Sequence, residues 1–141
     1  MPLVRAAVPA DAPVIAGLLE ELGYAVSAAE VVERLACHAA DPQDLVLVAE
    51  HDGRVVGVMA LHIARMLHHA VPTARVTTLV TTAAARGTGA GTALLDAAAE
   101  AAGRAGCTRV ELTTGNARTA AHAFYRARGY EATALAMRKR L

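Results

Sequence analysis

The hydrophobic positions of this chain change period several times along its length. Leu3 to Val8 alternates as a short edge strand does, and Pro9 and Asp11 follow, Asp11 being a candidate helix N-cap. Val14, Ile15, Leu18, Leu19 and Leu22 then recur at helical spacing as far as Gly23, a residue suited to a helix stop. Ser27-Ala28-Ala29-Glu30 has the capping-box pattern, in which the serine and glutamate side chains each accept from the other's backbone N–H. It predicts a second helix carrying Val31, Val32, Leu35 and Ala36, ended by Asp41-Pro42.

Two Val-rich runs come next, Leu45 to Glu50 and Val55 to Ile63, separated by His51-Asp52-Gly53-Arg54. Asp-Gly tolerates the positive φ angles of a two-residue hairpin, so the runs are expected to pair antiparallel. A connection of mixed character, His62 to Pro72, leads to a third strand from Ala74 to about Thr81. Gly89 to Ala105 is helical, with Leu94, Leu95, Ala98 and Ala102 on one side and Gly106 as its stop. Thr108 to Thr113 alternates as a strand, Thr119 to Arg128 is a helix closed by Gly129, and Tyr130 to Leu141 is expected to contain a last strand. The predicted class is α/β (α+β): a mixed, mostly antiparallel twisted sheet of six to seven strands flanked by four helices on both faces.

Composition narrows the function. At 141 residues the chain reads as one domain spanning 1–141. A net charge of +1, with 19% charged residues, argues against a nucleic-acid specialist. With no Trp and one Phe, the core must pack on Leu, Val and Ala. Cys37 and Cys107 have no partner at metal-ligand spacing and are expected as buried reduced thiols. Charges or histidines interrupt every run that approaches about 18 apolar residues, and Met1-Pro2-Leu3-Val4-Arg5 lacks a signal-peptide pattern. A soluble, cytoplasmic protein without a membrane or nucleic-acid partner is the expectation.

The chemistry concentrates in Leu79-Val80-Thr81-Thr82-Ala83-Ala84-Ala85-Arg86-Gly87-Thr88-Gly89-Ala90-Gly91-Thr92. A strand end, a tight turn and a helix start are predicted here. Glycines at alternate positions let the backbone approach a ligand, and a helix N-terminus offers N–H groups and positive dipole charge, so the implied guest is a phosphate or pyrophosphate. A P-loop would need the GxxxxGK[ST] spacing, and no Lys occurs in or near the turn. A dinucleotide-binding turn would place Gly or Ala where Thr92 stands, although Glu111 lies near the distance of a ribose-binding acid. A plain connecting turn would gain nothing from three glycines.

Arg86-Gly87-Thr88-Gly89-Ala90-Gly91 resembles the acyl-CoA turn of the GNAT N-acetyltransferases, Gln or Arg, two residues, Gly, one residue, then Gly or Ala. Asn116-Ala117-Arg118-Thr119-Ala120-Ala121-His122-Ala123-Phe124-Tyr125, running on to Gly129-Tyr130, resembles that family's closing motif. A narrower likeness, to the aminoalkylphosphonate N-acetyltransferases, rests on Leu61-His62, Leu67-His68-His69, Leu79-Val80, Ala85-Arg86-Gly87, Glu111-Leu112-Thr113 and Ala121-His122 before Phe124-Tyr125. Those enzymes carry acidic residues on the strand before the turn, where this chain has Arg75, Thr77 and Thr78.

The resemblance implies an enzyme that transfers an acetyl group from acetyl-CoA to a primary amine of a small molecule, working as a homodimer. Backbone N–H groups of Arg86, Gly87, Thr88, Gly89, Ala90, Gly91 and Thr92 would hold the pyrophosphate. Main-chain groups of Leu79 and Thr81, on either side of Val80, would bond the pantetheine arm, and Asn116 would bond the cofactor as well. Tyr125 would be the general acid that protonates the departing thiolate. Candidates for the base that deprotonates the amine are Glu50, His62, His68, His69, Glu111 and His122. No carboxylate accompanies the loop histidines at ligand spacing, so no metal ligand is assigned. Two other readings stay open: a non-catalytic acyl-CoA-binding sensor, and an acetyltransferase acting on protein N-termini or lysines. Met137-Arg138-Lys139-Arg140 reads as a solvated strand end.

Overall fold

The structure, a computed structural model, describes residues 2–141. They form two compact units, the first running to Glu111 and the second from Leu112 to Leu141.

In the first unit a short strand, β1 (Leu3–Ala6), leads through a 3-10 turn at Pro9–Asp11 into α1 (Ala12–Glu21) and α2 (Ala28–Ala40). The capping box at the start of α2 is made: Ser27 Oγ accepts from the Glu30 N–H at 3.1 Å, and a Glu30 carboxylate oxygen accepts from the Ser27 N–H at 3.1 Å. Asp11 does not cap α1 with its side chain. Its buried carboxylate accepts instead from both terminal nitrogens of Arg5, at 2.8 and 2.9 Å, and from the Val8 N–H at 2.8 Å. A guanidinium within reach outcompetes a helix terminus as partner for a buried carboxylate.

Strands β2 (Asp44–His51), β3 (Arg54–Ala64) and β4 (Thr73–Thr81) pair antiparallel in succession, and β1 pairs with β2. The hairpin between β2 and β3 turns at Asp52 and Gly53, both at positive φ as that turn requires. Helix α3 (Ala90–Arg104) follows β4, and β5 (Val110–Leu112) completes a five-stranded sheet in the order β1-β2-β3-β4-β5. Just before β5, the Arg109 carbonyl accepts from the Ala74 N–H at 3.3 Å, which sets the start of β5 beside the start of β4.

Alternation along the strands divides the core between two faces. Val48, Val58 and Val80 pack with Ala12, Ile15, Leu18 and Val31 from α1 and α2. Met59 and Leu61, one position out of phase on β3, point to the other face, where α3 packs and buries Leu94, Leu95, Ala98 and Ala102.

In the second unit α4 (Thr119–Ala127) is closed by Gly129 at a φ of 87°, as expected. The expected final strand does not form. Residues 131–141 carry no regular secondary structure and are exposed throughout, so the described residues hold five strands rather than six or seven. Alternating Leu135, Met137 and Leu141 give the segment a strand pattern, yet a strand exists only where a neighbour supplies its ladder. The cysteines also depart from expectation. Both are free, but Cys37 is exposed and Cys107 only partly buried, because Val31 and Leu35 set the inward face of α2 and Cys37 falls off it.

Candidate active site

The turn after β4 is built from backbone conformations that suit glycine. Thr82 caps a 3-10 turn at Ala83–Ala85, its hydroxyl accepting from the Ala85 N–H at 3.1 Å. The Thr88 hydroxyl donates to the Ala85 carbonyl and ties the loop down. Gly87 and Gly89 then take φ angles of 84° and 86°, where a Cβ would be strained. Gly89 is the N-cap of α3, and the N–H groups of Ala90 and Gly91 have no carbonyl partner inside the helix. The exposed Arg86 guanidinium makes no ion pair among the described residues. Dipole, N–H groups and cation together favour a bound anion.

The strand leading into the turn has an unusual edge. The Thr82 N–H donates to the Val56 carbonyl of β3 at 2.8 Å, and main-chain groups alternate sides along a strand. Leu79 and Thr81 therefore direct their N–H and C=O groups away from β3. On that outer side β5 is three residues long against nine for β4, so part of the edge of β4 has no strand partner. Thr81 is brought close to β3 by Gly57, where a Cβ would stand 3.1 Å from Thr81 Cγ2 and 3.1 Å from Leu94 Cδ1. A bulge that the sequence pattern did not reveal interrupts the ladder here. Ala60 pairs with Thr78 and Leu61 with Val76, leaving Thr77 as the extra residue. Bulges re-aim the strand around them and cluster near active sites.

The candidate bases scatter. Glu50 bonds Arg5 at 3.3 Å, and His62 Nδ1 lies 2.5 Å from Asp44 Oδ1. His68 and His69 have ring centroids 4.3 Å apart in the β3–β4 connection, and Arg109 Nη2 approaches His69 Nδ1 at 3.3 Å. Partial burial, the Arg109 cation and His68 all push the His69 pKa down, which keeps the ring neutral at pH 7. His69 also lines a cleft of about 490 Å³ with Arg65, Met66, Leu67 and Val71. Glu111 lies on β5.

In the second unit Asn116 occupies an exposed turn before α4, and His122 Nε2 lies 2.8 Å from the Gly115 carbonyl oxygen. Tyr125 sits within an aromatic group, its ring 5.5 Å from Phe124 and 5.8 Å from Tyr130, while the Arg128 guanidinium covers Phe124 at 3.8 Å. Burial raises the Tyr125 phenol above its usual pKa, with a smaller opposing pull from Arg118. The phenol therefore keeps its proton at neutral pH, as a general acid must.

Comparison with known proteins bears on these features. The acetyltransferase (GNAT) family model matches residues 15–130. Aminoalkylphosphonate N-acetyltransferase of Salmonella typhimurium strain LT2 is 38% identical over 96 residues, 68% of this chain and 62% of that protein. The match thus spans less than two thirds of the relative's own length. Among solved structures, a putative acetyltransferase from Agrobacterium tumefaciens str. C58 superposes with a TM-score of 0.87 at 31% identity, over 99% of each chain. A transcriptional regulator from Bacillus halodurans C-125 superposes at 0.90 over the whole of both chains; at 23% identity that likeness concerns the fold alone.

Proposed function

The chain belongs to the GNAT family of acetyltransferases, and from that premise we propose that it transfers an acetyl group from acetyl-CoA to the primary amine of a small molecule. The observation that carries the proposal is the turn, with Gly87 and Gly89 at positive φ ahead of α3 and the outward main-chain groups of Leu79 and Thr81 just before it. The turn suits a pyrophosphate, and the strand edge suits the amide-bearing arm of coenzyme A.

In this reading the neutral amine nitrogen attacks the thioester carbon, an outward N–H of β4 polarises the carbonyl, the C–S bond breaks, and the proton that the new amide nitrogen sheds passes to solvent water. Tyr125 passes its proton to the leaving thiolate. Its place in the Asn116 to Tyr125 stretch and its burial-raised pKa support that role. A small primary amine as acceptor is favoured by the Salmonella relative, whose name specifies an aminoalkylphosphonate. Arg75, Thr77 and Thr78 stand on β4 where a carboxylate was expected, and none of the three side chains carries one.

The experiment is to incubate the chain with acetyl-CoA and a panel of primary amines, aminoalkylphosphonates included, and follow free thiol. Amine-dependent thiol release is the expected result. Acetyl-CoA binding without release across the panel would replace the enzyme with an acyl-CoA sensor, and release with peptides alone would move the acceptor to proteins.

A homodimer belongs to the same proposal. Leu135, Met137 and Leu141 are 78%, 89% and 115% exposed on a segment with strand alternation, a large apolar investment to leave in water. Sedimentation should give a dimer that Leu135→Asp with Met137→Asp dissociates; a monomeric wild type would refute it.

A further inference from the structure

Away from the turn, side chains from three elements converge on one carboxylate. Asp44 opens β2 and lies directly opposite His62 of β3 in the ladder. Asp44, Val46 and Val48 alternate onto the face that α1 and α2 cover, as do His62 and Val58, so both side chains meet the end of α2. There His38 Nδ1 lies 2.9 Å from Asp44 Oδ2, while His62 Nδ1 holds the other oxygen, Oδ1. Asp41, the C-cap of α2, completes the group: one ligand atom from each of Asp41, Asp44 and His62 falls within 4.8 Å of the others. Asp41 is itself oriented, since its Oδ1 accepts from the Gln43 N–H at 2.8 Å.

This cluster is separate from the proposed acetyl-transfer site. His62 pairs with Arg75 of β4, and the turn begins six residues further along that strand, roughly 20 Å away. We propose that Asp41, Asp44 and His62 form a binding site for a divalent first-row cation, with His38 as the residue that positions Asp44. Two carboxylates and an imidazole form a mixed oxygen and nitrogen donor set. That set suits zinc, manganese, cobalt or nickel better than calcium or magnesium, which prefer oxygen alone. The Asp44 side chain is 14% exposed while the imidazoles are about 40% exposed, so the anchor is sheltered and the ligand edge is open to an entering ion. An ion there would fasten the C-terminal end of α2 to the β2–β3 hairpin.

The test uses the full chain without an affinity tag, treated with chelator and then titrated with ZnCl2 and separately with MnCl2 by calorimetry. One equivalent should bind, and thermal unfolding should move upward at saturation. His62→Gln and Asp41→Asn should each weaken binding by about tenfold or more. Asp41 lies outside the His38–Asp44–His62 hydrogen bonds, so Asp41→Asn keeps the test informative should a variant at Asp44 or His62 fail to fold. His68→Gln with His69→Gln should leave binding unchanged. Absence of binding to either metal, undiminished binding by both ligand variants, or loss of binding in the loop double variant would each overturn the proposal.

Discussion

At one end of β3, Gly57 lies opposite Thr81, and the turn beyond presents main-chain N–H groups at the start of α3. At the other end His62 joins side chains from α2 and β2 around Asp44. The first site is made of backbone and needs missing Cβ atoms; the second is made of side chains and needs particular nitrogen and oxygen atoms. They should therefore respond oppositely to substitution. The turn should tolerate loss of side chains and fail when one is added, whereas the cluster should fail on exchanges that barely change its shape.

The most damaging test of this contrast is Gly89→Glu. A side chain at a φ of 86° is strained, and its charge would face a phosphate, so acetyl-CoA affinity should fall by roughly 1000-fold. Metal binding at the far end should be untouched. Calorimetry with each ligand checks both, and undiminished acetyl-CoA binding would remove the turn from the cofactor site.

Tyr125→Phe should lower turnover by about 100-fold while changing the acetyl-CoA dissociation constant by less than about twofold. The pH profile adds a sign. Because burial raises the phenol pKa, Tyr125 stays protonated to higher pH, so the alkaline limb of kcat that it governs should lie above the ordinary value of 10.0 and vanish in Tyr125→Phe. Steady-state rates between pH 7 and 11 decide the matter, and unchanged turnover would strip Tyr125 of its role.

A smaller effect is expected from Asp44→Asn with metal removed, a change that keeps the shape and loses the charge. Weakened bonds to His38 and His62 should cost about 1 kcal/mol of stability, discounted for the partial exposure of both rings, and leave acetyl-CoA affinity intact. Denaturant unfolding beside calorimetry would show it. Smallest of all is Arg86→Ala. The exposed guanidinium contributes through solvent-screened attraction, so affinity should drop by only about threefold; a loss approaching that of Gly89→Glu would mean that side chains, not backbone, hold the phosphate.

The same contrast explains which parts of the molecule were legible in advance. The capping box at Ser27 and Glu30, the Asp52-Gly53 hairpin and the buried face of α3 all formed as the pattern implied, because each depends on residues within a few positions of one another. The turn belongs with them, since backbone at positive φ writes itself into sequence as glycine at fixed spacing. The bulge at Thr77 left no such trace, because it arises from a mismatch between two strands rather than from either one. Asp11 found Arg5 on β1 in place of a helix end, and residues 131–141 kept their alternation without finding a ladder.

The sequence by itself determined the element order as far as α4, the family and the glycine-rich turn, all of which follow from local periodicity, motif spacing and backbone angles that few residues allow. Only the tertiary structure decided that Asp44 meets His38 and His62, residues far apart in the chain. Ladder pairing and helix packing set that meeting, and a side-chain cluster assembled from three elements has no spacing of its own to read. It likewise decided that Leu79 and Thr81 face outward, since the direction of a main-chain group depends on which neighbour takes the alternate one.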